Sequence, residues 1–99
     1  MSIMFDLNNL KRANDTYGHA VGDQLITNFA RLLRNAIPAK DFVGRYGGDE
    51  FIAIITQTTK KEILNIMDEV HDEVKHFNEN IHKVEVSYAY GYAFSEDYA

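Results

Sequence analysis

Three carboxylate residues lie where predicted strands end. Asp6 closes a short apolar run that begins at Ser2, and Asp49 and Glu50 follow two glycines between two further apolar runs. Carboxylates crowded at the ends of neighbouring strands repel one another unless a cation lies between them. Hard oxygen ligands suit Mg²⁺, which commonly binds one or two carboxylates together with substrate phosphates. The spacing indicates metal-assisted phosphoryl transfer, although each acid taken singly is more typical of a turn or a solvated strand end.

Two glycines and a lysine strengthen this interpretation. Gly47 and Gly48 would allow the backbone to approach a phosphate closely, and they would also allow a positive φ. Lys11 is the cation best placed to meet a phosphate beside Asp6. Its structural alternative is a solvated side chain. Taken together with the acids, the glycines favour the functional interpretation.

A polar segment separates Asp6 from the first predicted helix. Within it, Asn14 and Asp23 carry groups that can pair with the donors and acceptors on the edge of guanine. The alternative is that these side chains cap turns and the following helix. His19 is more typical of a residue that fixes the loop by hydrogen bonding than of a catalytic base. The other histidines are predicted to be surface residues; they are His71, His76 and His82.

The apolar spacing predicts the elements that position these residues. Strands are predicted over 2–6, 42–46, 51–55 and 84–94, with a hairpin turn at 47–49. One helix is predicted after Asp23 as its cap and closed by Pro38, and a second from Thr59. Residues 7–23 are predicted to be a loop with one helical turn near 10–13. The order strand, helix, strand, strand, helix, strand is that of an α+β, ferredoxin-like βαββαβ palm, with an antiparallel sheet and both helices on one face.

Composition narrows the class of protein. The chain has 99 residues, 45% hydrophobic and 25% charged, which suits one small globular domain. A net charge of -5 argues against a nucleic-acid surface, and the absence of cysteine excludes disulfides and thiolate zinc sites. No apolar run is long enough to span a membrane, and no signal peptide is expected because the apolar start of the chain meets an acid at Asp6. A cytoplasmic location is expected, alone or as the cytoplasmic part of a longer sensor protein.

Two sequence blocks together resemble the signature of the GGDEF diguanylate cyclases of bacterial signalling. The blocks are FDLNNLKRANDTYGHAVGD over residues 5–23 and RYGGDEF over residues 45–51. The closing VSYAYGYA also resembles the last core strand of that family. Asn8 departs from the pattern where many members have a second Asp, and Leu10 where many have Phe.

The resemblance implies an activity and a cofactor. Members condense two GTP molecules into cyclic di-GMP with Mg²⁺ or Mn²⁺, and each of two subunits holds one GTP, so a homodimer is expected. Asp6 and Asp49 would bind metal with the backbone carbonyl of Leu7, and Glu50 would serve a second metal. Asp49, Glu50 and Lys11 are the expected catalytic residues.

The resemblance also implies how the nucleotide binds. Asn14 and Asp23 would bind guanine. Backbone amides around Asn9, Leu10 and Lys11 would meet the triphosphate. Gly47 and Gly48 would leave space for it.

The resemblance covers residues 1–99 as a single GGDEF-type core. The family usually adds an N-terminal helix with a Leu-Thr-Gly-Leu motif and a C-terminal helix whose Lys and Arg reach the phosphates. The isolated chain is therefore expected to turn over slowly. The main alternative is an impaired GGDEF module that binds GTP or cyclic di-GMP without turnover. A ferredoxin-like interaction domain and another palm-type cyclase or polymerase are further alternatives.

Many family members bind their product at an Arg-x-x-Asp site before the hairpin. Asp41 stands at the position of the acid, but Pro38 stands at that of the arginine. Proline offers no N–H donors for guanine, whereas arginine pairs with it bidentately. Weak or absent product inhibition is expected, with Arg34 and Lys40 nearby as imperfect substitutes.

Overall fold

The structure is a computed structural model that describes residues 1–80 and 84–93. Along the chain its elements are β1 Ser2–Leu7, α1 Leu10–Tyr17, α2 His19–Ala36, β2 Phe42–Arg45, β3 Glu50–Ile54, α3 Lys60–Glu79 and β4 Tyr88–Ala93.

The strands form one antiparallel four-stranded sheet in the order β2-β3-β1-β4. β1 is therefore central between β3 and β4. Phe5 pairs with Phe51 on one side and with Tyr90 on the other. This topology confirms the predicted α+β, ferredoxin-like fold.

The core lies between the helices and one face of the sheet. Burial alternates along β1, where Ile3, Phe5 and Leu7 are buried, as period-two side-chain placement requires. Phe29 of α2 makes edge-to-face contacts with Phe5 at 6.0 Å and Phe51 at 5.2 Å between ring centroids. The even-numbered residues of β1 and β3 consequently lie on the opposite face of the sheet.

The prediction of a loop over residues 7–23 is wrong. Most of that segment is helical, and α1 and α2 are separated only by Gly18, which adopts φ 93°. α1 is polar and only its Ala13 is buried, so its apolar periodicity is weak. A helix this short is not stable alone, and packing against α2 stabilises it. Asp23 is consequently not a cap but the fifth residue of α2.

The last strand begins later than predicted. Residues 84–87 do not join the sheet, because the Asn78 side chain binds the backbone there: its Nδ2 donates to the Val86 carbonyl and its Oδ1 accepts from the Val86 N–H, both at 2.9 Å. The predicted end at Phe94 lies outside the described residues.

Other predicted boundaries hold within one or two residues. α2 ends at Ala36, two residues before Pro38. Thr59 caps α3 by accepting a hydrogen bond from the Glu62 N–H. None of the three described helices combines the length and apolar character that crossing a bilayer requires.

Candidate functional site

Two of the predicted acids are direct cross-strand neighbours. Asp6 on β1 pairs in register with Glu50 on β3, and both side chains lie on the sheet face opposite the helices. They line a shallow depression of about 250 Å³ together with Met4, Ala89 and Gly91. Within the described ranges, neither carboxylate has a hydrogen-bond or ion-pair partner. Like charges directly opposite each other on a sheet are destabilising, and a bound cation would relieve that repulsion.

The hairpin holds Asp49 beside this pair through the backbone. The Leu7 N–H donates to the Asp49 carbonyl at 2.7 Å, which ties the end of β1 to the hairpin tip. Among residues 1–80 and 84–93, however, no three His, Asp or Glu side chains are arranged to hold a metal ion. Two unpaired carboxylates fit a Mg²⁺ or Mn²⁺ site of the kind completed by phosphate and water. The metal-binding roles of Asp6, Leu7, Asp49 and Glu50 therefore remain predictions.

The Gly-Gly turn is held by Arg45. Its Nε donates to the Gly47 carbonyl at 3.0 Å and its Nη2 to the Gly48 carbonyl at 2.9 Å. Neither glycine has a positive φ, so that predicted use of glycine is wrong. A Cβ added at Gly48 would meet nothing within 4 Å, and one at Gly47 would touch only Glu50 at 3.7 Å. The turn is thus open at both glycines.

The start of α1 lies directly after β1. Asn9 has left-handed backbone angles, φ 66° and ψ 15°, and its side chain does not cap the helix. The first amides of a helix have no partner within the helix, and such N–H groups attract anions. Asn8 fixes this corner, because its N–H donates to the Ser87 carbonyl at 2.8 Å and its Nδ2 to the Ser87 hydroxyl at 3.1 Å. Lys11, in the first turn, is exposed.

The predicted guanine-binding residues both lie where α1 meets α2. Asn14 is half-buried and its side chain contacts Gly22, the residue before Asp23. The Asn14 carbonyl accepts from the Gly18 N–H at 2.9 Å, but within the described part of the chain neither the Asn14 nor the Asp23 side chain makes a hydrogen bond. Neither side chain therefore caps a turn or a helix, which was the alternative to guanine binding. The His19 side chain is exposed and makes no hydrogen bond to any described residue, so its predicted loop-fixing role is wrong.

Asp41 does not lie in an open site. Its carboxylate is buried and accepts from the Thr56 N–H, the Thr56 hydroxyl and Lys40 Nζ, each at 3.1 Å. Burial by itself raises the pKa of Asp41, but the hydrogen bonds from Thr56 and Lys40 outweigh it, and the pKa is lowered. Arg34 is also engaged, since its Nη2 donates to the carbonyls of Pro38 and Asp41. The Asp41 carboxylate and the Arg34 guanidinium therefore both bind other groups of the fold.

Sequence reasoning missed three residues that shape this region. Arg45 was signalled only by its place directly before the turn. Ser87 and Thr56 carried no signal, because their contacts with Asn8 and Asp41 join residues far apart in the chain. Of the predicted surface histidines, His71 and His76 are exposed, and His82 lies outside the described residues.

The antiparallel four-stranded sheet with its helices on one face is an α+β palm of the ferredoxin-like type. The family model described as "Diguanylate cyclase, GGDEF domain" matches residues 1–99, so the chain belongs to the GGDEF diguanylate cyclase family. The match confirms the resemblance in the two sequence blocks.

Individual relatives agree. The probable diguanylate cyclase DgcI of Escherichia coli is 42% identical over 77 residues, which cover 76% of this chain and 17% of that protein. Diguanylate cyclase SiaD of Pseudomonas aeruginosa, solved with its activator SiaC, superposes with TM-score 0.81 at 27% identity and covers 98% of this chain and 39% of that one. The GGDEF domain of DgcB from Caulobacter crescentus, solved with c-di-GMP, has TM-score 0.79 at 26% identity and covers 91% and 56%. The chain thus spans less than two thirds of each of these proteins.

Proposed function

We propose that this chain carries one GTP-binding half-site of a diguanylate cyclase and that two copies condense two GTP into cyclic di-GMP with release of two pyrophosphates. The observation that carries the proposal is that Asp6 and Glu50 lie side by side, next to the open Gly47-Gly48 turn, with no partner for either carboxylate among the described residues. Structures that place like charges side by side without a partner do so at a cost in stability. Binding of a metal–nucleotide complex would relieve the repulsion and so offset that cost.

Each part of the site has a chemical role in this proposal. Asp6, Asp49 and Glu50, with the Leu7 carbonyl, would hold Mg²⁺ or Mn²⁺, which when bound would stabilise charge on the reacting phosphates. The amides at the start of α1 and the Lys11 ammonium would bind the triphosphate. The 3′-hydroxyl of the GTP on one copy then attacks the α-phosphate of the GTP on the other.

The guanine base would lie against the corner between α1 and α2. Asn14 and Asp23 offer donors and acceptors there that no described residue uses. The carboxylate of Asp23 accepts two N–H donors, which suits the N1 and N2 groups of guanine. This pairing would select GTP over ATP.

Removing the charge of Asp6 tests the site, because the effect on GTP affinity should differ with and without metal. Calorimetry with GTP should give an affinity for Asp6→Asn that is about tenfold or more below that of the unchanged chain in Mg²⁺, since a charge-assisted contact contributes about 1.5–3 kcal/mol. In EDTA the same substitution should bind GTP equally or better, because one repulsive carboxylate is gone. Asp72→Asn is the matched control, as Asp72 is an exposed acid on α3. Equal losses for Asp6→Asn with and without metal would refute the proposed site.

Activity is tested by product analysis. Incubation with GTP and Mg²⁺ should yield cyclic di-GMP and pyrophosphate. A different cyclic or linear product would assign another palm-type reaction instead.

A binding module without turnover is the second candidate. Among the described residues no three His, Asp or Glu side chains are grouped to hold a metal by themselves, so the bound nucleotide would supply the remaining ligands and metal-dependent binding need not lead to turnover. Metal-dependent GTP binding without any product would select this candidate.

A further inference from the structure

Gly22 lies inside a helix, at a position where the backbone angles do not require glycine. It is the fourth residue of α2 and is buried. Among the described glycines only Gly18 has a positive φ, so the backbone at Gly22 would accept any L-residue. Glycine inside a helix is about 1 kcal/mol less favourable than alanine. Glycine at position 22 is therefore explained by the space that a side chain there would need.

The space is taken by one side chain. A Cβ at position 22 would lie 1.6 Å from Asn14 Oδ1, 2.7 Å from its Cγ and 3.3 Å from its Nδ2. All three nearest atoms belong to the tip of Asn14, and none belongs to the backbone. A methyl group there would therefore displace the Asn14 amide rather than separate the two helices.

The Asn14 amide differs from that of a structural asparagine. Asn78 uses both its Oδ1 and its Nδ2 in hydrogen bonds with Val86. Asn14 uses neither with any described residue. Its amide is thus oriented by its fit against Gly22, and its hydrogen-bonding groups are left for a ligand.

We infer that Gly22 is a positioning residue for guanine recognition: it admits the Asn14 side chain against α2 and so places its amide beside Asp23. The identity of the ligand rests on the proposed function. The contact between Asn14 and Gly22 does not depend on it. A larger residue at position 22 turns the amide away and weakens base recognition, while the phosphate and metal groups are untouched.

The test is Gly22→Ala, compared with Asn14→Ala and the double variant. GTP and ATP affinities are measured by calorimetry in Mg²⁺, with thermal unfolding alongside. Gly22→Ala should lower GTP affinity about fivefold, the value of one neutral hydrogen bond, with ATP affinity unchanged and the Tm equal or higher. The double variant should match Asn14→Ala, because Gly22 acts through Asn14.

The matched control is Gly44→Ala. A Cβ at Gly44 would also meet only a side-chain tip, the exposed Phe42 ring at 2.6 Å, but on β2 rather than at the α1–α2 corner. This substitution should leave both affinities unchanged.

A nucleotide-free measurement separates the inference from the proposed function. In ¹⁵N-correlated NMR spectra, the Asn14 side-chain amide signals, identified by their loss in Asn14→Ala, should shift in Gly22→Ala. Unshifted signals would overturn the inference whatever binds. Unchanged GTP preference in Asn14→Ala would overturn the guanine role in the proposed function. Loss of preference in Asn14→Ala but not in Gly22→Ala, or equal loss of GTP and ATP affinity with a lowered Tm in Gly22→Ala, would overturn the inference alone.

Discussion

Residue types at strand ends allowed much of the candidate site to be predicted. Asp6 and Glu50 were placed together because neighbouring strands in this topology bring their ends side by side, and the register confirms it. The Arg45 clamp and the Asn14–Gly22 contact could not be predicted, since both depend on distances between individual atoms at a turn or a helix corner. Composition and spacing do not encode such distances.

The glycine turn gives a prediction at this scale. Gly48 lacks a positive φ and its missing Cβ would meet nothing. Gly48→Ala should therefore leave the Tm unchanged or slightly higher, because alanine reduces the entropy of the unfolded chain. GTP affinity should fall about tenfold, since a methyl group enters the space proposed for the triphosphate.

Thermal unfolding and calorimetry on the same samples check this prediction. A fall in Tm with unchanged GTP affinity would mean that Gly48 serves the turn and not the ligand. Gly44→Ala again controls for the addition of a methyl group to the sheet.

At the scale of elements, strong periodicity was predictive and weak periodicity was not. β1, β3 and α3 were predicted nearly in full because their apolar residues face one core. α1 was missed because only Ala13 is buried in it, so that its stability comes from contact with α2 and not from its own pattern. The start of β4 was missed because Asn78 competes for the backbone of Val86.

Asp41 joins the ends of the hairpin strands and supports a second prediction. Its carboxylate lies before β2 and accepts two hydrogen bonds from Thr56, two residues past the end of β3. Asp41→Ala should destabilise the fold by about 1–3 kcal/mol, because Thr56 and Lys40 lose their partner. For a domain of this size that corresponds to a Tm lower by several degrees.

The pH dependence of the same contact has a defined sign. Since the pKa of Asp41 is lowered from 3.8 on folding, the ionised group stabilises the native state above pH 3.8, and this contribution is lost as the pH falls through the folded value. Asp41→Asn should therefore lose less stability than the unchanged chain on acidification below that pH. Urea unfolding at several pH values measures it, and Asp15→Asn, an exposed acid, is the control. Parallel acid profiles for the Asp41→Asn and unchanged chains would contradict the assignment.

The buried position of Asp41 also bears on product inhibition. The Asp41 side chain has no solvent-accessible surface and accepts hydrogen bonds from Thr56 and Lys40, so guanine could reach it only if this corner rearranged. Arg34, the nearest arginine considered, donates to backbone carbonyls instead. The expectation of weak feedback therefore has two structural reasons beyond Pro38.

For the whole molecule, charge and topology act together. The chain carries a net charge of -5 and the proposed substrate is itself anionic, so a bound metal ion, together with Lys11, would supply the local positive charge. The helices cover one face of the sheet, and the Asp6–Glu50 couple lies on the other face. Each chain offers one such couple and one Asn14–Asp23 corner, which is enough for one GTP.

The last prediction follows from this one-site arrangement. If each chain holds one GTP, cyclic di-GMP forms only when two chains meet, so the turnover per chain should rise with chain concentration. Chains of like charge repel one another. Raising the salt from about 0.01 to 0.15 M shortens the screening length from roughly 30 to 8 Å. The weaker repulsion should increase turnover at low chain concentration. An excess of Asp6→Asn chains should suppress the unchanged chain by forming mixed pairs, whereas an equal excess of an unrelated acidic protein should not. Turnover per chain that is constant with concentration, and insensitive to the Asp6→Asn chain, would mean that one chain completes the reaction alone.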